Sequence, residues 1–362
     1  MQVFVNARFL TQPITGVQRY AVEVSKELKH LRPELRFLAP QNVIHHELAE
    51  QLGVERVGRL NGHLWEQLEL PYYARAGELL SLCNTAPLLK HNQLVVLHDA
   101  SMFAVADTYS LAFRSWYKLL FFTLSRTARK VLTVSTFSQQ ELARYCRLPA
   151  TTFTVLHEGA EHIHAEPTDE RILELHGLRG HPFLLAVGSQ SPHKNFRGLV
   201  EALARLGNTP FDTVIAGGTH ASVFAQTNTL PKSMKQLGYV TDAELRALYE
   251  HATVFVHPTY YEGFGLPPLE AMTCGCPVVT SDAASLPEVC GDAALYFDPH
   301  DPADIAAKVQ QLMGDTSLQQ ELRERGFRRV QQFTWRRCAK GVLQQAEAVG
   351  MKSPSAKVNR EI

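Results

Sequence analysis

His257-Pro258-Thr259-Tyr260-Tyr261-Glu262-Gly263-Phe264-Gly265-Leu266-Pro267-Pro268-Leu269-Glu270-Ala271-Met272 follows the short apolar run Val254-Phe255-Val256. The β-branched run predicts a strand, Gly263 and Gly265 let the backbone turn and approach a partner closely, and the two prolines suit the first turn of a new helix. The segment therefore reads as strand, turn and helix. The same rhythm recurs outward from it. Val3-Phe4-Val5, Leu94-Val95-Val96-Leu97, Val131-Leu132-Thr133-Val134 and Phe153-Thr154-Val155-Leu156 are strand-like before residue 158. Phe183-Leu184-Leu185-Ala186-Val187, Thr213-Val214-Ile215-Ala216-Gly217-Gly218, Leu237-Gly238-Tyr239-Val240 and Pro277-Val278-Val279-Thr280 follow it. Strand alternation is missing, as expected when helices cover both faces of a parallel sheet.

Between these strands lie segments of helical period. Val17, Tyr20, Ala21, Val24, Leu28 and Leu31 recur at three and four residues, and a second helix is expected from about Lys194 to Leu206. Thr241-Asp242-Ala243-Glu244 has the form of a capping box opening a helix to His251. The polar stretch from Glu158 to Asp169 interrupts the pattern and is expected to be an interdomain linker. Two series of alternating strands and helices predict two α/β domains, with chemistry in the loops at the carboxyl ends of strands.

The whole chain has 362 residues, 45% of them apolar, and 36 basic against 36 acidic side chains, so a disordered or strongly basic nucleic-acid-binding chain is excluded. No apolar run approaches the roughly 20 residues that span a bilayer, the start has no secretory leader, and six scattered cysteines read as reduced cytosolic thiols. Residues 1–150 hold 17 Lys and Arg against 12 Asp and Glu, and the remainder 19 against 24, so a +5 half is joined to a −5 half. Arg114, Lys118, Arg126, Arg129, Lys130, Arg144 and Arg147 face only Glu141 over one stretch, either a solvated helix face or a patch for anionic lipid or acceptor. The aromatic and basic Phe113-to-Phe122 segment is open in the same way, to core packing or to an interfacial helix.

Glu262 and Glu270 stand eight residues apart around the glycine turn. Carboxylates accept from paired hydroxyls, and N–H groups at a helix start favour phosphate, so the segment suits a phosphorylated sugar or nucleoside. No D-x-D triplet is present. Asp298, Asp301 and Asp304 come near one at three-residue spacing, but a carboxylate-held metal is not expected, and His157, His162 and His164 read as polar linker rather than zinc ligands.

This stretch resembles the E-x7-E signature of the retaining glycosyltransferases of family 4. The resemblance extends to Thr15-Gly16-Val17-Gln18-Arg19-Tyr20, Val96-Leu97-His98-Asp99, Thr133-Val134-Ser135-Thr136-Phe137-Ser138, Ala186-Val187-Gly188-Ser189-Gln190-Ser191-Pro192-His193-Lys194-Asn195, Gly238-Tyr239-Val240-Thr241 and Ser285-Leu286-Pro287-Glu288-Val289. It implies the GT-B fold, two Rossmann-like doubly wound domains facing across a cleft. The acceptor-side domain is expected at 1–168 with a helix at about 335–350 crossing back, and the donor-binding domain at 169–334. By resemblance, Lys194 meets the donor diphosphate, Glu262 the sugar hydroxyls, the amides of Gly263, Phe264, Gly265 and Leu266 the sugar and phosphate, Glu270 the ribose, and the backbone of Tyr239 and Val240 the base. Gly16, Gly188 and Ser189 belong to the donor loops. His98 lies beneath the anomeric carbon or is a structural histidine, and Asp99 holds an acceptor hydroxyl or caps the next turn. Where many relatives have a second cation, this chain has Ser189 and His193, and Arg197 is the expected substitute.

The implied activity is that of a retaining, metal-independent hexosyltransferase without cofactor, moving mannose from GDP-mannose as the best assignment, as in bacterial O-antigen and exopolysaccharide synthesis. Its partners are then a nucleotide sugar and a saccharide acceptor that can be lipid-linked, in the cytoplasm or at the inner face of an anionic membrane, and not nucleic acid. The alternatives are a nucleotide-sugar epimerase or phosphorylase on the same scaffold, or a non-catalytic nucleotide-sugar-binding protein.

Overall fold

The apolar runs are buried along nearly their whole length, as strands covered on both faces must be. The computed structural model describes residues 2–105, 110–189, 191–218 and 234–350. It divides the chain into two units, one running through Glu158 and resuming at Trp335, the other spanning Gly159–Thr334.

In the first unit the described strands are β1 (Gln2–Asn6), β2 (Arg36–Ala39), β3 (Glu55–Arg56), β4 (Gly77–Ser81), β5 (Gln93–Val96), β6 (Lys130–Thr133) and β7 (Phe153–Val155). They pair in parallel in the order β3-β2-β1-β4-β5-β6-β7. β4 has a weak sequence signal because Glu78 sits within it. That carboxylate is buried and accepts a 2.8 Å bond from Arg129 Nη1, so a charge is carried inside the sheet by a distant partner.

The second unit has β8 (Phe183–Val187), β9 (Asp212–Ala216), β10 (Met234–Gly238), β11 (Val254–His257), β12 (Val278–Ser281) and β13 (Ala294–Phe297), all parallel in the order β10-β9-β8-β11-β12-β13. The expected capping box is present: Thr241 Oγ1 accepts from Glu244 N, and the Glu244 carboxylate accepts from Thr241 N at 2.8 Å. β10 begins and ends earlier than its apolar signal, so Tyr239 and Val240 lie in the loop beyond it.

The boundary expected after residue 168 instead follows Glu158. Glu161–His164 forms a 3-10 turn whose His162 and Ile163 are buried, and Ile163 packs into the second unit's core with Phe183 and Tyr249. The polar composition of this stretch concealed these two inward-facing residues.

The final described helix, Trp335–Ala348, packs on Gly16–Leu31 within the first unit. Trp335 is 2% exposed and its ring lies 5.9 Å from that of Tyr20, while Cys338 Sγ donates to the Tyr20 hydroxyl at 3.5 Å. Replacing Trp335 with Ala should destabilise the first unit by about 3 kcal/mol. Exposed Arg336→Ala should stay within about 0.5 kcal/mol. Equal urea midpoints for the two variants would contradict this packing role.

Candidate functional site

β8 and β11 are neighbours although β9 and β10 separate them in sequence. The strand order reverses there, and open α/β sheets take ligands outside the carboxyl ends at such a point. The loops after these two strands carry Lys194 and Glu262.

The loops are stapled to each other by short polar contacts. The His193 carbonyl accepts from Thr259 Oγ1 at 2.9 Å and from Tyr260 N at 2.8 Å. Asn195 adopts a left-handed backbone with φ 54° and caps the helix Phe196–Leu206 by accepting from Gly198 N at 3.1 Å. Its Nδ2 also donates to Pro258 O at 3.0 Å and to Pro299 O at 2.8 Å. Gly217 is required beside this point: its φ is 93°, and a Cβ would come 2.8 Å from the Gly188 carbonyl oxygen.

Glu262 is the centre of charge. Its Oε1 accepts from Lys194 Nζ, and from His257 Nε2 at 2.9 Å. Burial alone pushes the Glu262 carboxyl upward, but Lys194 and the His257 hydrogen bond outweigh it and hold the group well below the ordinary carboxylate range. Burial lowers the His257 pKa, with Glu262 opposing, so the imidazole stays neutral and donates through Nε2. The sequence reading missed His257, although its place at the end of β11, five residues before Glu262, was a usable signal.

Beyond Glu262, Ser285 Oγ lies 2.7 Å from Phe264 O and 3.0 Å from Glu262 O, close enough to donate to these loop carbonyls. Gly265, with φ 104°, starts the helix Leu266–Thr273; a Cβ there would come 2.7 Å from Leu286 Cδ2. Pro267 and Pro268 carry no N–H, so the amide donors at this helix start are confined to Leu266 and the loop before it. Glu270, on the same helix, accepts from His162 Nε2 at 3.0 Å and from the Tyr249 hydroxyl at 3.1 Å.

Arg197 does not join Lys194: its Nε donates to Glu201 at 2.9 Å one turn along the helix, and 78% of its side chain is exposed. Helical spacing put it near Lys194 in sequence, but Lys194 lies in the preceding 3-10 turn and the left-handed Asn195 breaks the shared face. The Ser189 hydroxyl lies 3.2 Å from Ser191 Oγ, Gly188 N donates to Ala216 O at 3.1 Å, and Gln190 lies outside the described residues. Tyr239 is exposed, and Val240 packs partly against the core.

In the first unit, Gly16 opens the helix Gly16–Leu31. His98 follows β5 and is 4% exposed. Its Nε2 donates to Leu82 O at 2.9 Å, and its Nδ1 stands 3.6 Å from Glu158 Oε1. Asp99 accepts from Ser101 N at 2.8 Å, the turn-capping contact.

Glu262 contributes stability that is fully present above the ordinary carboxylate range and is lost progressively as pH falls from that range through its lowered folded-state pKa. Lys194→Met removes the cation that lowers it and should move acid unfolding, followed by circular dichroism, to higher pH. An unchanged acid midpoint would show that Lys194 does not stabilise the ionised carboxylate.

Comparisons with known proteins bear on the family and the fold. The family model described as glycosyl transferases group 1 matches residues 170–329. O-antigen chain mannosyltransferase B of Escherichia coli is 32% identical over 93% of this chain and 97% of its own length. O-antigen chain mannosyltransferase RfbU of Salmonella typhimurium is 24% identical over 83% of this chain and 87% of its own. Among solved structures, Anabaena HepE in complex with UDP-glucose covers 96% of this chain and 100% of its own at 17% identity and a TM-score of 0.78. Sucrose-phosphate synthase of Thermosynechococcus elongatus covers 96% and 99% at 19% identity and 0.77. These two similarities support the fold alone: two parallel sheets with flanking helices, as in GT-B glycosyltransferases. With a relative of this identity matched over nearly its whole length, the chain belongs to the group 1 glycosyl transferases.

Proposed function

We propose that this chain is a retaining mannosyltransferase of bacterial surface-polysaccharide synthesis, moving mannose from GDP-mannose to a saccharide hydroxyl. The observation that carries the reading is the meeting of Lys194 with Glu262 where the sheet order reverses, beside the loop that opens Leu266–Thr273. The O-antigen mannosyltransferase among the relatives supports mannose as the sugar.

In this reading, donor binding exchanges the ion pair. The diphosphate takes Lys194, whose charge stabilises the phosphate oxygen as negative charge develops, and sugar hydroxyls take Glu262. His257 keeps a hydrogen bond on Glu262 during the exchange. Glu270 receives the ribose and the backbone beyond β10 the base. His98 and Asp99 serve the acceptor side. The bond from the anomeric carbon to the phosphate oxygen breaks with its electrons going to phosphate. The acceptor oxygen then bonds the same face, and its proton passes to the departing phosphate. Lys194 supplies charge at the phosphate without a divalent ion, and the reaction needs no cofactor.

Incubation with a panel of nucleotide sugars, a mannoside acceptor and excess EDTA tests this. The expected result is GDP release with transfer from GDP-mannose, an α-linked product by NMR, and a loss of about a hundredfold or more in Lys194→Ala. Binding without release would favour the non-catalytic alternative, interconversion of sugars the epimerase. An inverted product or abolition by EDTA would overturn the corresponding part of the reading.

A second part of the reading concerns the acceptor, which we take to be lipid-linked at an anionic membrane surface. No helix among the described residues is long and apolar enough to cross a membrane. The helix Leu111–Thr127 buries Leu120, Phe121 and Leu124 in its later turns but exposes Leu111 and Leu119, near Arg114 and Lys118. His63 ring contacts with Trp116 and Tyr117 join this helix to the turn that carries the exposed Leu64. The protein should float with phosphatidylglycerol-containing vesicles, and less so after Leu111→Glu with Leu119→Glu. Protein left at the bottom would remove the membrane claim.

A further inference from the structure

Glu270 is gripped from two sides by residues that arrive on different segments of the second unit. His162 comes from the 3-10 turn Glu161–His164, and Tyr249 from the helix Asp242–His251. A carboxylate only accepts, so both partners are donors: His162 through Nε2 to Oε1 at 3.0 Å, Tyr249 through its hydroxyl to Oε2 at 3.1 Å. The phenol is kept protonated by burial first and by the neighbouring carboxylate second. The Glu270 side chain is 9% exposed and that of His162 2%, and Tyr249 is wholly buried, so the Glu270 side chain is the most exposed of the three.

A free glutamate side chain loses up to about 2 kcal/mol of rotamer freedom when a ligand fixes it. Here the protein fixes it in advance, with His162 donating to Oε1 and Tyr249 to Oε2. A carboxylate held in this way matches two adjacent hydroxyls that donate together.

We infer that His162 and Tyr249 are positioning residues that hold Glu270 for a vicinal diol and so set the preference of this site for ribonucleotides. The inference rests on the reading of Glu270 as the ribose contact. It turns His162 from a linker residue into part of the donor site, although the histidine and the tyrosine need touch no ligand themselves.

Calorimetric titration with GDP and UDP, each against its 2′,3′-dideoxy form, separates the two claims. The native protein should bind at least one ribonucleotide about tenfold or more tightly than its dideoxy form, as expected for hydrogen bonds to a charged group. Tyr249→Phe, which removes one oxygen, and His162→Leu should each shrink that ratio severalfold. His162→Gln, which can return a donor near the Nε2 position, should restore most of it. Thermal melting follows folding, and Tyr249→Phe provides the reading even if His162→Leu melts early. Absence of discrimination by the native protein would overturn the ribose reading of Glu270 and the inference with it. Native discrimination retained in full by Tyr249→Phe would overturn the inference alone. A loss of stability with the ratio unchanged would show the contacts to be structural only.

Discussion

The pairing of β8 with β11 is the constraint on which the second unit's chemistry depends. Two strands that are not successive in sequence become neighbours, and the loops leaving their carboxyl ends must share one space. Lys194 and Glu262, 68 residues apart in sequence, meet there as a largely buried ion pair. Taking either charge from water costs several kcal/mol, so each depends on the other or on a substitute of the same sign. In the reading proposed above, a diphosphate substitutes for the carboxylate at Lys194. In the proposed reaction the pair thus holds both loops ready without a ligand and is exchanged when one binds.

Contacts other than the ion pair also hold the two loops. Neutral His257 keeps a donor on Glu262, while Asn195 and Thr259 tie the loop backbones together without using the charged atoms. Ser285 secures the carbonyls of the Glu262–Phe264 turn. A buried ion pair is weak evidence for stability, and here its retention fits recognition better.

The strands of the second unit were legible because β8 and β11 are uninterrupted apolar runs, and the capping box at Thr241 was legible because its bonds are local. Glu262 and Glu270 were singled out by their spacing around a glycine turn together with the family resemblance of the whole segment. The partners were hidden because they come from elsewhere in the chain. Tyr249 has the pattern of a core residue, and His162 lies in a polar stretch whose composition suggests a linker. Arg197 was misread for the converse reason: proximity in sequence implied a shared helix face that the left-handed Asn195 does not allow. β4 was obscured by Glu78, whose partner Arg129 lies 51 residues away.

The central claim is that Lys194 leaves Glu262 for the donor's diphosphate. A crystal structure with intact GDP-mannose tests it most directly. The account predicts Lys194 Nζ within hydrogen-bond distance of a phosphate oxygen, Glu262 accepting from mannose hydroxyls, and His257 still bonded to Glu262. A donor bound with the Lys194–Glu262 pair intact and the diphosphate held by other residues would contradict it.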